Sequence, residues 1–326
     1  MYDFVAIGDT VIDAFIKLED AEELVNHGTR EICMPFATKL PYESVEVIPA
    51  VGNSANAAVA VARLGLKSAL VTHLGSDDNG KLCLKRLEDE KVAHDFISVE
   101  EGQKTNYHYV LWYNHDRTIL VKHEAYKYEL PDIGEPKWLY LSSLGASTLE
   151  YQLKIAEYLK THPSIQLAFQ PGTFQLQAGV EKLKDIYTRS KVFFCNVEEA
   201  ELVLGMNTLG TEELLKRVRA LGPEIVVITD GPKGAYAYDG TNSYFQPPYP
   251  EKKPAFERTG AGDAFASSVV AALSFGLDLP TALEWGSVNS HSVVQEVGAQ
   301  KGLLTREALE KSLKAASTEF QTKKLG

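Results

Sequence analysis

The chain has few cysteines, no excess of basic residues and no long apolar run, and each lack excludes a class of protein. Its three cysteines, Cys33, Cys83 and Cys195, are too few and too scattered for a disulfide framework or for zinc-ligand spacing. We therefore expect a reducing compartment, the cytoplasm. Lys and Arg number 33 against 44 Asp and Glu, without a basic cluster, so no nucleic-acid partner is expected.

Apolar residues are not gathered into a segment that could span a membrane. No stretch approaches about 18 uninterrupted apolar residues, and residues 1–5 do not begin a basic and then apolar leader. We expect neither a membrane partner nor a signal peptide. The 326 residues, 44% of them hydrophobic, suit a single large domain covering residues 1–326.

Short apolar runs alternate with amphipathic segments through most of the chain. The strand-like runs are residues 4–8, 68–74, 138–142, 165–169, 192–195 and 225–229. The helical segments are residues 55–66, 78–91, 149–162, 179–189, 197–204, 211–221, 263–275, 279–297 and 305–318. This alternation predicts an α/β fold in which a mostly parallel sheet carries helices on both faces.

Two segments, residues 28–50 and 104–123, interrupt the alternation. Both are rich in aromatic and β-branched residues, resemble hairpins and lack a crossover helix. They predict a small separate sheet that forms a lid over the strand ends, although two extra edge strands of the main sheet are the alternative. The aromatic residues of these segments could stack on a nucleobase, fill the core of the small sheet or form a dimer interface.

Residues 257–265, Glu-Arg-Thr-Gly-Ala-Gly-Asp-Ala-Phe, form the most informative motif. A glycine turn at 259–262 precedes an apolar helix, so the free N–H groups at the helix start could bind an anion. Asp263 follows at once and could act as a general base. An anion cradle beside a base is what phosphoryl transfer to a hydroxyl requires. The simpler alternative is an acid favoured in the first turn of a helix.

Gly52, Asn53 and Asn56 mark a second candidate site. They lie at the predicted start of a helix, where Ser54 could cap, and the two amide side chains could hold a polyhydroxylated ligand. Ordinary capping is the alternative. Asp13, like Asp9, follows the first strand, and acids at the carboxyl end of a parallel strand face the usual ligand crevice.

Two further loops follow predicted strands. Asn196 and Glu199 could hold a hydrated metal ion near phosphates, or Asn196 could simply cap a helix. Residues 229–234 contain two glycines that permit close approach of a ligand, or form a plain hairpin turn. Residues 75–81 fit the start of a phosphate-binding Walker loop, but Leu82 stands where the magnesium-binding hydroxyl belongs, so that motif is rejected.

Together these elements resemble the PfkB family of sugar and nucleoside kinases, which has the ribokinase-like fold. Residues 259–265 match the C-terminal signature of that family, and residues 52–56 with 62–65 resemble its N-terminal signature. Asn196 and Glu199 match its N-x-x-E motif, and residues 229–234 resemble its nucleotide loop. The order of the motifs agrees from about residue 3 to residue 315.

The resemblance implies a role for each matched residue. Asp263 would be the base, and the N–H groups of Gly260, Ala261 and Gly262 would form the anion hole. The residues implied to hold the sugar are Asp13, Gly52, Asn53 and Asn56. The residues implied to lie near the nucleotide are Asn196, Glu199, Thr229, Gly231 and Asn289.

Metal ions and partners also follow from the resemblance. Glu199 would bind Mg²⁺ through water, and Glu257, Thr259 and Gly298 match a loop that could bind a monovalent cation such as K⁺. The lid could pair between two subunits in a homodimer.

The sequence therefore predicts an ATP- and Mg²⁺-dependent kinase that phosphorylates a hydroxyl of a small sugar. A nucleoside kinase of the same family is one alternative. A sugar- or nucleotide-binding regulator without turnover is another, although the intact Asp263, Gly260 and Gly262 argue against it.

Overall fold

The computed structural model describes residues 1–26, 29–114, 116–207, 209–250 and 255–325. Residue 28, at the start of the first predicted lid segment, and residue 115, within the second, lie outside these described residues, as do residues 27, 208, 251–254 and 326 of the predicted domain. The bounds of helices and strands refer to the described residues.

The strands and helices alternate for much of the chain, as the sequence predicts. The strands are β1 (Phe4–Ile7), β2 (Val11–Leu18), β3 (Glu22–Asn26), β4 (Thr29–Cys33), β5 (Tyr42–Val51), β6 (Ser68–Gly75), β7 (Ile97–Glu100), β8 (Tyr107–Tyr113), β9 (Asp116–Leu120), β10 (Trp138–Leu141), β11 (Gln166–Phe169), β12 (Ser190–Asn196), β13 (Ile225–Thr229), β14 (Ala235–Tyr238), β15 (Ser243–Gln246) and β16 (Lys323–Leu325). The helices are α1 (Asn53–Arg63), α2 (Asp78–Asp89), α3 (Leu149–Thr161), α4 (Thr173–Ala178), α5 (Lys184–Arg189), α6 (Val197–Leu204), α7 (Thr211–Ala220), α8 (Ala261–Ser274), α9 (Leu279–Val293) and α10 (Arg306–Ala315). Short 3₁₀ turns cover Glu181–Leu183, Gly231–Lys233 and Thr318–Phe320.

The main sheet has ten strands in the order β16-β15-β14-β13-β12-β11-β10-β1-β6-β7. The strands from β13 to β7 run parallel, and β14, β15 and β16 extend one edge in antiparallel pairing. The predicted, mostly parallel sheet is therefore confirmed. The chain leaves β1 for β6 on one side and later returns to β10 on the other, so the strand order reverses beside β1. The crevice at such a reversal, outside the carboxyl ends of the strands, is where α/β sheets bind ligands.

Buried side chains lie on both faces of this sheet. Along β1, Phe4 and Ala6 belong to one core, whereas Val5 and Ile7 belong to the other, because successive side chains of a strand point to opposite faces. The first core includes residues of α1, α8 and α9, and the second includes residues of α3, α5 and α7. The prediction of helices on both faces is confirmed.

A second, smaller sheet of four strands, the lid sheet, has the order β5-β2-β8-β9. The predicted segment 104–123 does form a hairpin, β8–β9. The predicted hairpin within residues 28–50 is wrong, because β4 pairs with β3 and β5 pairs with β2. Strand β2 was not predicted as a strand. It offers β5 a partner of eight residues, against the five of β4, and continues the sheet to β8 by parallel pairing.

Within the described ranges, every helix is too short or too polar to cross a membrane.

Candidate active site

The glycine turn, residues 259–262, enters α8 as the sequence predicts. Gly260 caps the helix with a φ of 79°, a backbone conformation that favours glycine. A Cβ at this position would stand 2.3 Å from the Cβ of Ala299, so the neighbouring loop also requires glycine. The carbonyl of Gly260 accepts a hydrogen bond from the N–H of Ala264 at 2.9 Å. The first N–H groups of a helix have no partner within the helix, so this turn can bind an anion.

Asp263 lies in the first turn of α8 and is buried, with 7% of its surface exposed. Three side-chain amides donate hydrogen bonds to its carboxylate. Asn53 Nδ2 and Gln170 Nε2 reach Oδ1 at 3.0 and 3.1 Å, and Asn56 Nδ2 reaches Oδ2 at 2.8 Å. The carboxylate is thus held in one orientation by residues from two other parts of the chain. An acid that only stabilises the start of a helix does not need such partners.

Burial raises the pKa of Asp263 above the ordinary value for an aspartate, and the hydrogen bonds from Asn56, Gln170 and Asn53 act in the opposite direction. A higher pKa makes the carboxylate a stronger base, provided that it stays ionised at the working pH. The environment of Asp263 therefore suits a general base.

The start of α1 faces Asp263 across the site. Gly52, with a φ of 110°, precedes the helix, and no side chain caps its start. The sequence suggests Ser54 as a cap of this helix. Its Oγ instead donates a hydrogen bond to the carbonyl of Ile7 at 2.7 Å. Asn53 and Asn56 do not cap either, since both amides bind Asp263. The two signatures of the sequence thus meet at one carboxylate.

A cavity of about 420 Å³, the first cavity, opens beside Asp263. Its lining includes the predicted Asp13, Gly52, Asn53 and Asn56 together with Asp9, His108, Arg117 and His123. Asp13 of β2 stands beside His108 of β8 in the lid sheet, with 3.6 Å between Oδ1 and Nδ1. Asp13 Oδ1 and His108 Nε2 are buried and have no hydrogen-bond partner among the described residues. Both groups are therefore available to hydroxyl groups of a ligand.

Asp9 also lines the first cavity, but both oxygens of its carboxylate are hydrogen-bonded within the protein. Its Oδ1 accepts a hydrogen bond from the Tyr128 hydroxyl at 2.7 Å, and its Oδ2 accepts one from the N–H of Gly145 at 2.8 Å. Nδ1 of His123 lies 3.2 Å from Oδ2. Asp9 thus fixes the loop after β10, and the imidazole of His123 stands beside its carboxylate without a hydrogen bond between them.

The aromatic residues of the lid segments do not line this cavity. Phe36 is 97% exposed, and Tyr42 and Tyr109 are about half exposed. Trp112 is buried against Phe256, with 5.4 Å between ring centroids. The aromatic rings in the cavity wall are Phe174, Phe194 and Phe265.

A second cavity, of about 540 Å³, lies on the other side of the glycine turn. Its lining includes the predicted Asn196, Thr229 and Gly231, with Lys233 and His291. Five residues border both cavities, namely Asn196, Thr229, Arg258, Gly262 and Phe265. The 3₁₀ turn at Gly231–Lys233 joins the antiparallel strands β13 and β14, so it is both a hairpin connection and a wall of the cavity.

Asn289, which the sequence predicts near the nucleotide, does not line the second cavity. It is fully buried in α9, its Nδ2 donates to Ser268 Oγ at 2.8 Å, and its Oδ1 accepts from the N–H of Leu304 at 2.9 Å. Its helix neighbours Ser287 and Ser290 line the second cavity instead.

Asn196 and Glu199 form a capping box at the start of α6. Asn196 Oδ1 accepts from the N–H of Glu199 at 2.7 Å, and Glu199 Oε2 accepts from the N–H of Asn196 at 2.8 Å. Glu199 also lines the first cavity, and burial raises the pKa of its carboxyl. In the described part of the chain, no cluster of three or more His, Cys, Asp or Glu could hold a metal ion. Mg²⁺ in kinases often binds one or two protein carboxylates plus phosphate oxygens. The carboxylate of Glu199 is of the type that such an ion binds.

Glu257, Thr259 and Gly298 come together as predicted. Oε1 of the buried Glu257 accepts hydrogen bonds from the N–H and the hydroxyl of Thr259 at 2.8 and 2.6 Å, and Oε2 accepts from the N–H of Gly298 at 3.3 Å. Nε of Arg117, from β9, lies 3.7 Å from Oε1. The carboxylate thus joins the glycine turn to the loop after α9.

Sequence reasoning missed four residues of the site. Gln170 belongs to none of the sequence motifs, yet it binds Asp263. His108, His123 and Arg117 belong to the lid sheet or the chain after it, and only their position within the predicted lid segment 104–123 could have marked them. Nε of Arg117 is buried and has no hydrogen-bond partner among the described residues.

The fold and the site define a ribokinase-like α/β protein, in which two cavities meet at a glycine turn and a buried carboxylate. The sequence pattern described as "pfkB family carbohydrate kinase" matches residues 38–306. The chain belongs to this family.

Individual relatives agree with that membership. A 5-dehydro-2-deoxygluconokinase of Bacillus velezensis is 25% identical over 273 residues, which cover 77% of this chain and 81% of the relative. A ribokinase of Arabidopsis thaliana, solved with ribose and ATP, has a TM-score of 0.79 at 20% identity and covers 96% of this chain and 99% of its own. A nucleoside kinase of Methanocaldococcus jannaschii has a TM-score of 0.77 at 19% identity, with 96% and 98% covered. The two solved structures share the fold.

Proposed function

We propose that the protein is an ATP-dependent kinase that phosphorylates a hydroxyl of a small sugar. One observation carries the proposal, namely that a carboxylate held by three amides stands at the glycine turn that separates the two cavities. The first cavity would hold the acceptor and the second the nucleotide. The turn between them is where a phosphoryl group passes from one to the other.

In this reaction Asp263 takes the proton of the acceptor hydroxyl as its oxygen attacks the γ-phosphorus of ATP. The new O–P bond forms while the bond between the γ-phosphorus and the bridging oxygen breaks, and ADP leaves with the electron pair. The N–H groups of Gly260, Ala261 and Gly262 stabilise the charge on the transferring group. Burial of Asp263 keeps its proton affinity high and keeps water away from the attacking oxygen.

Asn196 and Glu199 would hold hydrated Mg²⁺ at the phosphates. The ion, when bound, would neutralise negative charge that develops during transfer. Binding of the ion would leave the role of Asp263 as the proton acceptor unchanged. We also propose that the loop of Glu257, Thr259 and Gly298 responds to a monovalent cation such as K⁺.

The lining of the first cavity favours a sugar over a nucleoside. Carboxylate and imidazole groups with free hydrogen-bonding capacity suit vicinal hydroxyls, as in Asp13 and His108. The lid aromatics that could have stacked on a base point elsewhere, so base recognition has less support. Arg117 adds a cation to the cavity, and one group of relatives is named for a sugar acid, so acid-bearing sugars belong among the candidates.

The outer face of the lid sheet supports a homodimer. Val47, Ala14, Tyr109 and Leu120 stand side by side on four adjacent strands; Val47, Tyr109 and Leu120 are each about half exposed, and Ala14 is buried between them. An apolar row that crosses a whole sheet is commonly covered by a partner. A second copy, applying the same row, is the partner that we propose.

Release of ADP by the purified protein, measured over a panel of acceptors, tests the proposal. The panel contains ribose, fructose, other hexoses, phosphosugars, sugar acids and nucleosides, each with ATP and Mg²⁺. Acceptor-dependent ADP release from one sugar, with none from nucleosides, is expected. Release with nucleosides alone would favour the nucleoside kinase. Silence from a folded protein that still binds ATP and a sugar would favour the regulator without turnover.

A further inference from the structure

The amide of Gln300 is a buried group that connects the loop after α9 to the site. Gln300 is 1% exposed. Its Nε2 donates two hydrogen bonds, one to the carbonyl of Ala50 at 2.7 Å and one to Oδ1 of Asn56 at 3.1 Å. Both amide hydrogens are therefore used, and one of them ends on a residue that binds Asp263.

Gln300 is itself held by charged neighbours on α1 and α2. Nη1 of Arg63 donates to the backbone carbonyls of Gln300 and Leu303 at 2.9 and 2.8 Å. The guanidinium of Arg63 makes a two-point contact with Glu90 at 2.6 and 2.7 Å, and Arg86 pairs with the same carboxylate at 2.8 Å. Arg86 also reaches Gln300 Oε1 at 3.5 Å. The position of the Gln300 amide is thus fixed from outside the site.

The bond from Gln300 decides which end of the Asn56 amide faces Asp263. Because Oδ1 of Asn56 accepts from Gln300, its NH₂ group faces the carboxylate, to which it donates at 2.8 Å. If the Asn56 amide turned over, its oxygen would face Oδ2 of Asp263. Two acceptors would then oppose each other in a buried place, and one donor to the base would be lost.

The charge of Asp263 can orient Asn56 only while Asp263 is ionised. After the base has taken a proton, the protonated carboxyl can itself donate, and the reason for Asn56 to keep its NH₂ group there disappears. Gln300 supplies a constraint that does not depend on this state.

We propose that Gln300 is a positioning residue, which locks the Asn56 amide with its NH₂ group toward Asp263 throughout the reaction cycle. The inference rests on the proposed function, since it assigns Asp263 as the base. It adds a residue that touches neither the carboxylate nor either cavity and yet sets the proton affinity of the base.

The near-isosteric change Gln300→Glu tests the inference most sharply. The new carboxylate accepts where the amide donated, so it competes with Asp263 for the single NH₂ group of Asn56. The readout is the titration of the Asp263 carboxyl carbon, followed by NMR on protein labelled at aspartate carboxyls and assigned with Asp263→Asn. This signal needs no turnover, so it remains informative even if the proposed function fails.

The titration of Asp263 should move to higher pH in Gln300→Glu. Charge alone would also move it, so the same change is made in an Asn56→Leu background, where no amide connects the two positions. We expect a clearly larger displacement with Asn56 present than without it. Equal displacements in both backgrounds, or no displacement, would overturn the inference.

Gln300→Met removes the donor without adding charge and guards against a variant that fails to fold. It should also move the Asp263 titration upward, by less than Gln300→Glu, and thermal melting reports whether the fold is kept. If the acceptor panel yields a substrate, kcat should fall about 10- to 100-fold in Gln300→Glu, because Asp263 loses a donor that holds it in the orientation for proton transfer. In the Asn56→Leu background, Gln300→Met should cause no further fall. Additive losses would show that Gln300 acts on stability or another part of the site.

Discussion

Replacement of the proposed base, Asp263→Asn, should abolish most turnover while leaving the nucleotide cavity intact. General-base catalysis contributes about 10²–10⁴ in rate. The structure places the expected loss in the upper part of that range, because two other carboxylates of the first cavity, Asp9 and Glu199, already hold hydrogen bonds within the protein and the third, Asp13, is assigned to the substrate. Both oxygens of Asp9 carry hydrogen bonds, and Glu199 caps Asn196. We therefore expect kcat to fall about 10³- to 10⁴-fold, which corresponds to about 4 to 5.5 kcal/mol of lost transition-state stabilisation.

The assay is steady-state ADP release, combined with titration calorimetry for ATP. Asp263 does not line the second cavity, so the affinity for ATP should be nearly unchanged. Asp13→Asn is the matched control, since it changes a carboxylate of the same cavity that we assign to substrate binding. It should raise the KM for the acceptor much more than it lowers kcat. Collapse of ATP binding in Asp263→Asn, or a loss no greater than that in Asp13→Asn, would refute the assignment of the base.

The pH dependence of the wild-type enzyme follows from the same residue. Only ionised Asp263 can accept the proton, so kcat/KM should fall as the pH decreases through the pKa of this group. Because burial raises that pKa, the fall should occur at a higher pH than for an exposed aspartate. A flat profile down to the acid limit of stability would contradict this account.

Three further changes probe the surroundings. Gly262→Val should fold normally, since a Cβ there meets only one side-chain atom, at 3.6 Å. It should nevertheless abolish turnover, because the larger side chain crowds the phosphate. Gly260→Ala should instead lower the melting temperature, because its Cβ would stand 2.3 Å from the Cβ of Ala299. Normal turnover by Gly262→Val would remove the anion hole from the account. Glu257→Gln should weaken any stimulation of turnover by K⁺ relative to Na⁺, and an unchanged K⁺ response would separate this loop from cation binding. Val47→Glu should shift the protein to monomer in analytical ultracentrifugation while the exposed control Leu202→Glu should not, and a monomeric wild type would contradict the lid dimer.

The glycine turn, the start of α1 and the parallel sheet could all be predicted from the sequence, because each depends on local pattern. Alternating apolar runs define the strands, and glycine next to an apolar helix defines the turn. Since parallel strands present their carboxyl ends at one edge, motifs that follow such strands come together there. The structure does bring Asn53 and Asn56 to Asp263.

The pairing of the lid could not be read from local pattern. Strand β2 pairs with β5 about 30 residues later and with β8 about 95 residues later, and the choice of β2 over β4 depends on the whole sheet. For the same reason the antiparallel edge from β14 to β16 was not predicted. Its last strand comes from the very end of the described chain.

The hydrogen-bond partners of single polar side chains could not be predicted from the sequence either. Gln170 and Gln300 carry no pattern that marks them, yet both supply amide hydrogens to the network around Asp263. Asn289, which the family resemblance implied to lie near the nucleotide, has two hydrogen-bond partners inside the protein that the sequence did not indicate. Hydrogen-bond partners distant in sequence are fixed only by the folded backbone.

Direct transfer of labelled γ-phosphate from ATP to an acceptor is the measurement that tests the central claim. The labelled product, separated from nucleotides, should be a phosphorylated sugar whose formation requires both the acceptor and ionised Asp263, so that Asp263→Asn yields almost none. Label released only as inorganic phosphate, or label transferred equally well by Asp263→Asn, would contradict the claim that this chain is a sugar kinase with Asp263 as its base.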